Sequence, residues 1–396
     1  MIRSMKNRYS TRQWLVLLGA SLFQCAMMGI LVNSSGVLFA QIRQELGMSM
    51  TKVSAFNTIK GIAGMLSAAY ITGLFFKMNK AKFLLCCQSV VVLSFVLLIW
   101  GADSWLWYFT AVLNGAALCV SAVAVPYILA QWFPKNAGFA AGVAMACSGI
   151  SGAICNPMCA KLILSLGWKV TILIMGAITM LITLPGLYLM FRWQPDTETE
   201  SASRNASASS GARQTKTFLL LVVVFLAGGI GVQFSMNMSM YAQSIGYSLA
   251  VGASLTTMIM IGNVASKFLY GCMCDALGTW KSTGLVLLCT GASVLCLVFA
   301  SNLLPLLYGA SLIYGCVYAL SMIAVTRCAA AAYGETECKR YLGLHTSVNN
   351  GVSAAFSLLA GLIYDSAQSF VPVLAVILVV IAMSFVAVLT LARRTR

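Results

Sequence analysis

Stretches of about 20 apolar residues recur along almost the whole chain, separated by short polar segments. Twelve runs can be read, at 14–40, 53–76, 83–102, 104–130, 138–164, 170–192, 217–243, 250–274, 282–301, 303–326, 342–363 and 370–392. A hydrocarbon core about 30 Å thick is crossed by about 20 helical residues, so each run is long enough to span it. No water reaches backbone N–H and C=O groups there, so the runs are predicted to be helices. Strands of a membrane barrel would be shorter and would alternate apolar with polar.

One segment breaks the pattern. Gln194 to Lys216 is polar and rich in Ala and Ser, and reads as a linker. It divides the chain into 1–192, a linker 193–216, and 217–396. The flanking parts resemble each other: Gln44-x-x-Gly47-x-Ser49 recurs as Gln243-x-x-Gly246-x-Ser248, and Gly64 and Gly73 recur, one residue out of step, as Gly262 and Gly271. The expected architecture is therefore an all-α membrane protein of twelve transmembrane helices in two pseudo-symmetric six-helix bundles. Carriers built from such repeats bind solute near the midplane.

Composition narrows the class. Apolar residues make up 60% of the chain and charged residues only 9%, which excludes a soluble enzyme and a nucleic-acid-binding domain. The formal charge of +16 reflects topology rather than an acidic partner. Most Lys and Arg fall at the termini or in alternate loops, among them Arg12, Lys77, Lys80, Lys82, Lys135, Arg192, Lys281 and Arg327. Only Arg43, Lys52, Lys161 and Lys169 fall in the opposite loops. Both termini are thus expected in the cytoplasm of a multi-pass cell-membrane protein. The 14 cysteines lie mostly within apolar runs, form no CxxC pair and read as small packing residues. Neither cofactor nor metal set is indicated, and no paired carboxylates or Ser–His–Asp arrangement suggests an enzyme. A monomer is expected.

The loop Gly271-Cys-Met-Cys-Asp275-Ala-Leu-Gly278-Thr-Trp-Lys281 resembles the G-x-L-a-D-r-x-G-r-r-k signature of the major facilitator superfamily. The matching loop of the first half, Gly73-Leu-Phe-Phe-Lys77-Met-Asn-Lys80-Ala-Lys82, carries Lys77 where the family has Asp. Within the superfamily the chain resembles the monocarboxylate transporter and oxalate–formate antiporter branch. The carrying segments are Asn33-Ser34-Ser35-Gly36-Val37-Leu38-Phe39, Trp132-Phe133-Pro134-Lys135-Asn-Ala-Gly138, Leu166-Gly167-Trp168-Lys169, and Gly262-Asn263-Val-Ala-Ser-Lys267-Phe-Leu-Tyr-Gly271. The resemblance implies transport of a small organic anion, a mono- or dicarboxylate, with Lys267 on the transport path. Asn33, Asn263 and the pair Asn349 and Asn350 occupy regions where that branch carries charges. The resemblance further implies that Asp275, with Gly271 and Gly278, holds one conformation. Asp275→Asn is accordingly expected to shift the inward/outward balance more than substrate affinity, a split that transport kinetics combined with accessibility labelling would resolve.

The charges inside the spans carry the remaining argument. Lys60 and Lys267 lie within apolar runs, whereas all nine carboxylates fall in loops or at span ends. A charge deep in a bilayer costs at least about 2.5–3.5 kcal/mol on insertion scales, so each lysine should snorkel to the headgroups or face a wet cavity. In the second case the missing negative partner is supplied by the substrate, because an ammonium binds a carboxylate strongly at low dielectric. His345, the one histidine, is the sole intramembrane candidate for proton relay, and reads otherwise as a polar residue at a helix end. Tyr127 is a candidate pocket wall. Export of a neutral or amphipathic compound, and a solute sensor that does not transport, are the alternatives.

Overall fold

The computed structural model describes residues 10–102, 104–134, 136–193, 212–299 and 302–394, and all of its regular structure is helical. The main helices are α1 (Thr11–Gln24), α2 (Ser35–Leu46), α3 (Met50–Lys77), α4 (Lys80–Val96), α5 (Leu106–Leu118), α6 (Ser121–Trp132) and α7 (Ala137–Phe191). They continue with α8 (Ala212–Ser235), α9 (Met238–Ser244), α10 (Leu249–Leu277), α11 (Thr279–Phe299), α12 (Leu304–Tyr314), α13 (Val325–Ala367) and α14 (Val371–Arg394). Among the described residues nine helices are long and apolar enough to cross a membrane, and ten if the bent pair Met50–Ala68 and Tyr70–Lys77 is one span. The chain is a multi-pass helical membrane protein. The expected spans 138–164 and 170–192 run together as α7, which is broken where Gly167 takes φ 76° and ψ 162°. The expected span 342–363 lies inside α13.

The described residues form two compact units, one within 1–35 and 62–203 and the other within 36–61 and 204–396. In the first unit, α1 lies against the second half of α7. Contact is close because a methyl on Gly19 would fall 2.7 Å from the Gly186 carbonyl oxygen, leaving glycine as the residue that fits. The chain then makes a wide π turn over Cys25–Ile30. Within that unit the Asn114 amide donates to Ser94 Oγ (2.9 Å), tying α5 to α4.

The second unit holds the internal repeat. Gly47 (φ 60°) and Gly246 (φ 91°) take the same left-handed turn. Ser49 and Ser248 each follow that turn and accept a backbone N–H from three residues on, Lys52 and Val251. The two equivalent glutamines meet, Gln243 Nε2 donating to Gln44 Oε1 at 3.3 Å. The recurrent motif is therefore a turn followed by a helix cap. The segment 50–61 of α3 is zipped along α13 in the same unit. Thr58 Oγ1 donates to the Ala354 carbonyl (2.6 Å), Ser357 Oγ to the Ser54 carbonyl (3.1 Å), and Gly361 sits against Thr51 Cα.

Glycines also set the spacing around α10. A Cβ on Gly262 would collide with the Leu312 carbonyl, and Ser266 Oγ donates to the Gly315 carbonyl at 3.2 Å. The obstacle is backbone, which cannot move aside as a side chain can. Gly262→Ala is expected to destabilise the protein by about 1–3 kcal/mol despite alanine's better helix propensity. A thermal melt in detergent reads the loss, and an unchanged midpoint would show that α10 and α12 can separate freely.

Candidate functional site

Lys267 lies in α10, about three turns before the cap at Gly278, and its side chain is half-buried. Its ammonium lies 6.0 Å from the ring centroid of Tyr318. An aromatic face attracts a cation weakly at this distance, by about 0.5–1 kcal/mol when partly exposed. The Tyr318 hydroxyl in turn shares a 2.9 Å hydrogen bond with Ser235 Oγ of α8, both residues being buried. No carboxylate pairs with Lys267 among the described residues.

Helix α8 forms the common wall of this neighbourhood. Gly228 meets the backbone of Leu320 and Ser321, where the chain makes a second wide π turn over Leu320–Ala324. Gly229 meets Asn349 and Ser353 of α13, and the Gly231 carbonyl accepts the Tyr314 hydroxyl at 2.9 Å. Asn349 and Ser353 are buried, one helical turn apart, and neither Asn349 Oδ1 nor Ser353 Oγ has a hydrogen-bond partner within the protein. Asn263 is also buried; its amide reaches only Met260 Sδ at 3.9 Å, and its Oδ1 lacks a partner. Buried polar atoms are normally satisfied, so these oxygens mark places where a donor from water or a solute completes the structure.

The other sequence candidates fall elsewhere. Lys60 is half-buried on the zipped segment, next to Gly61, which meets Ala354. Asn33 belongs to the first unit, where its amide donates to the Ser148 carbonyl at 2.9 Å, a helix-to-helix tie. Asn350 is exposed, on a different face of α13 from Asn349. Tyr127 also belongs to the first unit; it sits against Phe75 and Phe76 and accepts a hydrogen bond from Gln131 Nε2 (3.0 Å). His345 is not at an exposed helix end. It is 1% exposed, stacked on Phe218 with centroids 4.3 Å apart and edge-on to Phe225, and its Nε2 is 3.1 Å from the Tyr333 hydroxyl. Among the described residues every cysteine is free and no group of side chains is arranged to hold a metal.

Asp275 pairs with Arg327 at 3.4 Å, with both side chains largely exposed. Such a pair contributes about 0–1 kcal/mol. Gly278 caps α10 with φ 83°, a conformation that a side chain would strain. A Cβ on Gly271 would meet nothing within 4 Å.

Asp365 carries more than sequence reasoning assigned to it. Its Oδ1 accepts the Met50 N–H (2.8 Å) and its Oδ2 the Thr51 N–H (2.7 Å), so one carboxylate caps the start of α3. Partial burial by itself would raise its pKa. Hydrogen bonds from Thr51 and Met50, with Arg43 nearby, outweigh burial and hold the carboxyl below its ordinary value. The sequence signal was weak: an acid just past one apolar run and two residues starting another, more than 300 positions away.

These features describe a polytopic helical membrane protein with unpartnered polar groups buried in its second unit. The chain belongs to the major facilitator superfamily, whose family model matches residues 17–261. The MFS-type transporter pynF of Aspergillus niger is 25% identical over 295 residues, covering 73% of this chain and 67% of that protein. The crystal structure of the nucleoside transporter NupG has the same fold, with a TM-score of 0.72 at 12% identity, covering 97% of this chain and 99% of the other. A substituted form of NupG matches over the same shares with a TM-score of 0.74. The protein is a secondary transporter embedded in the bilayer, not an enzyme.

Proposed function

We propose that the protein moves a small organic anion, a mono- or dicarboxylate, across the cell membrane by alternating access. The observation that carries this reading is the half-buried Lys267 ammonium, which has an aromatic neighbour but no carboxylate partner among the described residues. An anion arriving beside Tyr318 would complete the pair; the orphan Ser353 hydroxyl would donate to it, whereas the orphan amide oxygens of Asn263 and Asn349 accept and would reach it only through a bridging water. Lys60 is a second cation of the same kind. In this reading the architecture is twelve spans in two six-helix bundles, 1–192 and 217–396, with both termini cytoplasmic and the protein monomeric. Three features support twelve: the bent α3, the break at Gly167, and the extension of α13 past the tenth span.

Proteoliposomes loaded with a panel of labelled carboxylates test the reading. Saturable flux of at least one member, competed by its relatives, is expected; no flux of any carboxylate would overturn it. A second reading is favoured by those same amides and hydroxyls, which suit a neutral, hydrogen-bonding solute equally well. NupG, of the same fold, is a nucleoside transporter. Nucleoside flux with silent carboxylates would establish this alternative.

A further inference from the structure

A cavity of about 620 Å³ opens in the first unit at the ends of α3, α6 and α7 and the start of α4. Its polar edge is formed by Lys80, Asn79 and Gln131; Trp132, Phe191 and Trp193 supply its aromatic walls. Lys80 is half-buried, with its ammonium 5.2 Å from the Tyr127 ring centroid, and Gln131 is held toward the same ring by its bond to the Tyr127 hydroxyl. Arg192 lies beside the cavity, its guanidinium over the rings of Tyr188 and Trp193. Among the described residues no acidic side chain lines the cavity.

The internal repeat sharpens the point. In the second half the corresponding loop carries Asp275, which is paired with Arg327. In the first half the equivalent position is Lys77, followed by Lys80 and Lys82, so the sign of the loop is reversed. Among the described residues none of these lysines pairs with a carboxylate. Tryptophan and lysine at the end of a span are the residues that meet phospholipid headgroups.

We propose that this cavity binds the phosphate of an anionic phospholipid headgroup, with Lys80 and Gln131 as donors and Trp132 and Trp193 packing against the glycerol and upper acyl chain. Free phosphate shares the chemistry but has no use for the aromatic wall. The proposal rests on the inward placement of the basic loops, not on the organic-anion reading.

The test uses the full-length protein in detergent micelles doped with dioleoyl-phosphatidylglycerol, dioleoyl-phosphatidylcholine or sodium phosphate alone, read by thermal shift. Phosphatidylglycerol is expected to raise the melting midpoint and phosphatidylcholine not to. Lys80→Ala with Gln131→Ala should weaken the apparent phosphatidylglycerol affinity by about fivefold or more, and Lys80→Arg should retain it. Equal shifts with both lipids, or an unaltered response in the double variant, would overturn the proposal. If phosphate alone reproduced the shift and abolished that of the lipid, the lipid assignment would fall. A measurement on the wild-type protein guards against a variant that misfolds: brominated phosphatidylglycerol in a phosphatidylcholine bilayer should quench tryptophan fluorescence more than brominated phosphatidylcholine does. Equal quenching counts against the site.

Discussion

Lys267→Ala is expected to lower carboxylate uptake into proteoliposomes by about 10- to 100-fold, the equivalent of one lost charge-assisted hydrogen bond in a low-dielectric cavity. The loss should appear mainly as weaker apparent affinity, because the ammonium attracts the anion before any conformational step. Lys267→Arg keeps the charge but presents a planar fork on a different stem, so partial activity is expected. Tyr318→Phe removes the hydroxyl bonded to Ser235 yet keeps the ring beside the ammonium, and should do much less harm. Full carboxylate transport by Lys267→Ala would mean that the amine reaches the headgroups along its apolar stem, and would remove the physical basis for an anionic cargo.

The second large effect concerns Asp365. Its carboxylate holds the start of α3 through two backbone N–H groups, and the zipped contacts at Ser54, Thr58 and Gly361 run on from that cap. Removing a helix-capping side chain typically costs about 0.5–2 kcal/mol. Asp365→Ala is therefore expected to open the seam more often, by about 2- to 30-fold. The residue that reports this is Ser54, which is fully buried and has an unpartnered hydroxyl. In a Ser54→Cys background a membrane-impermeant maleimide should label position 54 faster when Asp365 is also replaced, as read by peptide mass spectrometry. Unchanged labelling would show that the zipper holds without its cap. The sign of the pH dependence follows from the depressed carboxyl: the cap is present at neutral pH and is lost only as pH falls through the lowered folded-state pKa. Between about pH 5 and 8 this group should leave the seam unaffected.

Much of this organisation was legible in the amino-acid order. Apolar run length announced a multi-pass helical membrane protein because a bilayer leaves helices as the favoured solution for the backbone. The Gln-x-x-Gly-x-Ser repeat marked the two parts as related, and in the structure Gly47 and Gly246 share a left-handed conformation. The glycine in Leu166-Gly167-Trp168-Lys169 marks the break in α7. What could not be read was which neighbour each buried polar group would find. Asn33 and Asn349 look alike as intramembrane amides, yet the first donates to a backbone carbonyl and the second leaves its oxygen without a partner. Likewise His345 sits at the edge of an apolar run, and only the folding of Phe218, Phe225 and Tyr333 around it takes it out of contact with solvent. Side-chain environment depends on long-range packing, which periodicity does not encode.

The wide turn over Cys25–Ile30 has a consequence for the chain beyond it. Such a turn amounts to one surplus residue accommodated within a helix, and each residue advances a helix by about 100°. Excising one residue between Cys25 and Ile30 would restore even α winding and leave Leu31 to Ser34 close to their present phase, so Asn33 would keep its bond to the Ser148 carbonyl. The surplus residue is therefore absorbed where it occurs, and a homologue lacking it would present the equivalent side chains beyond the turn.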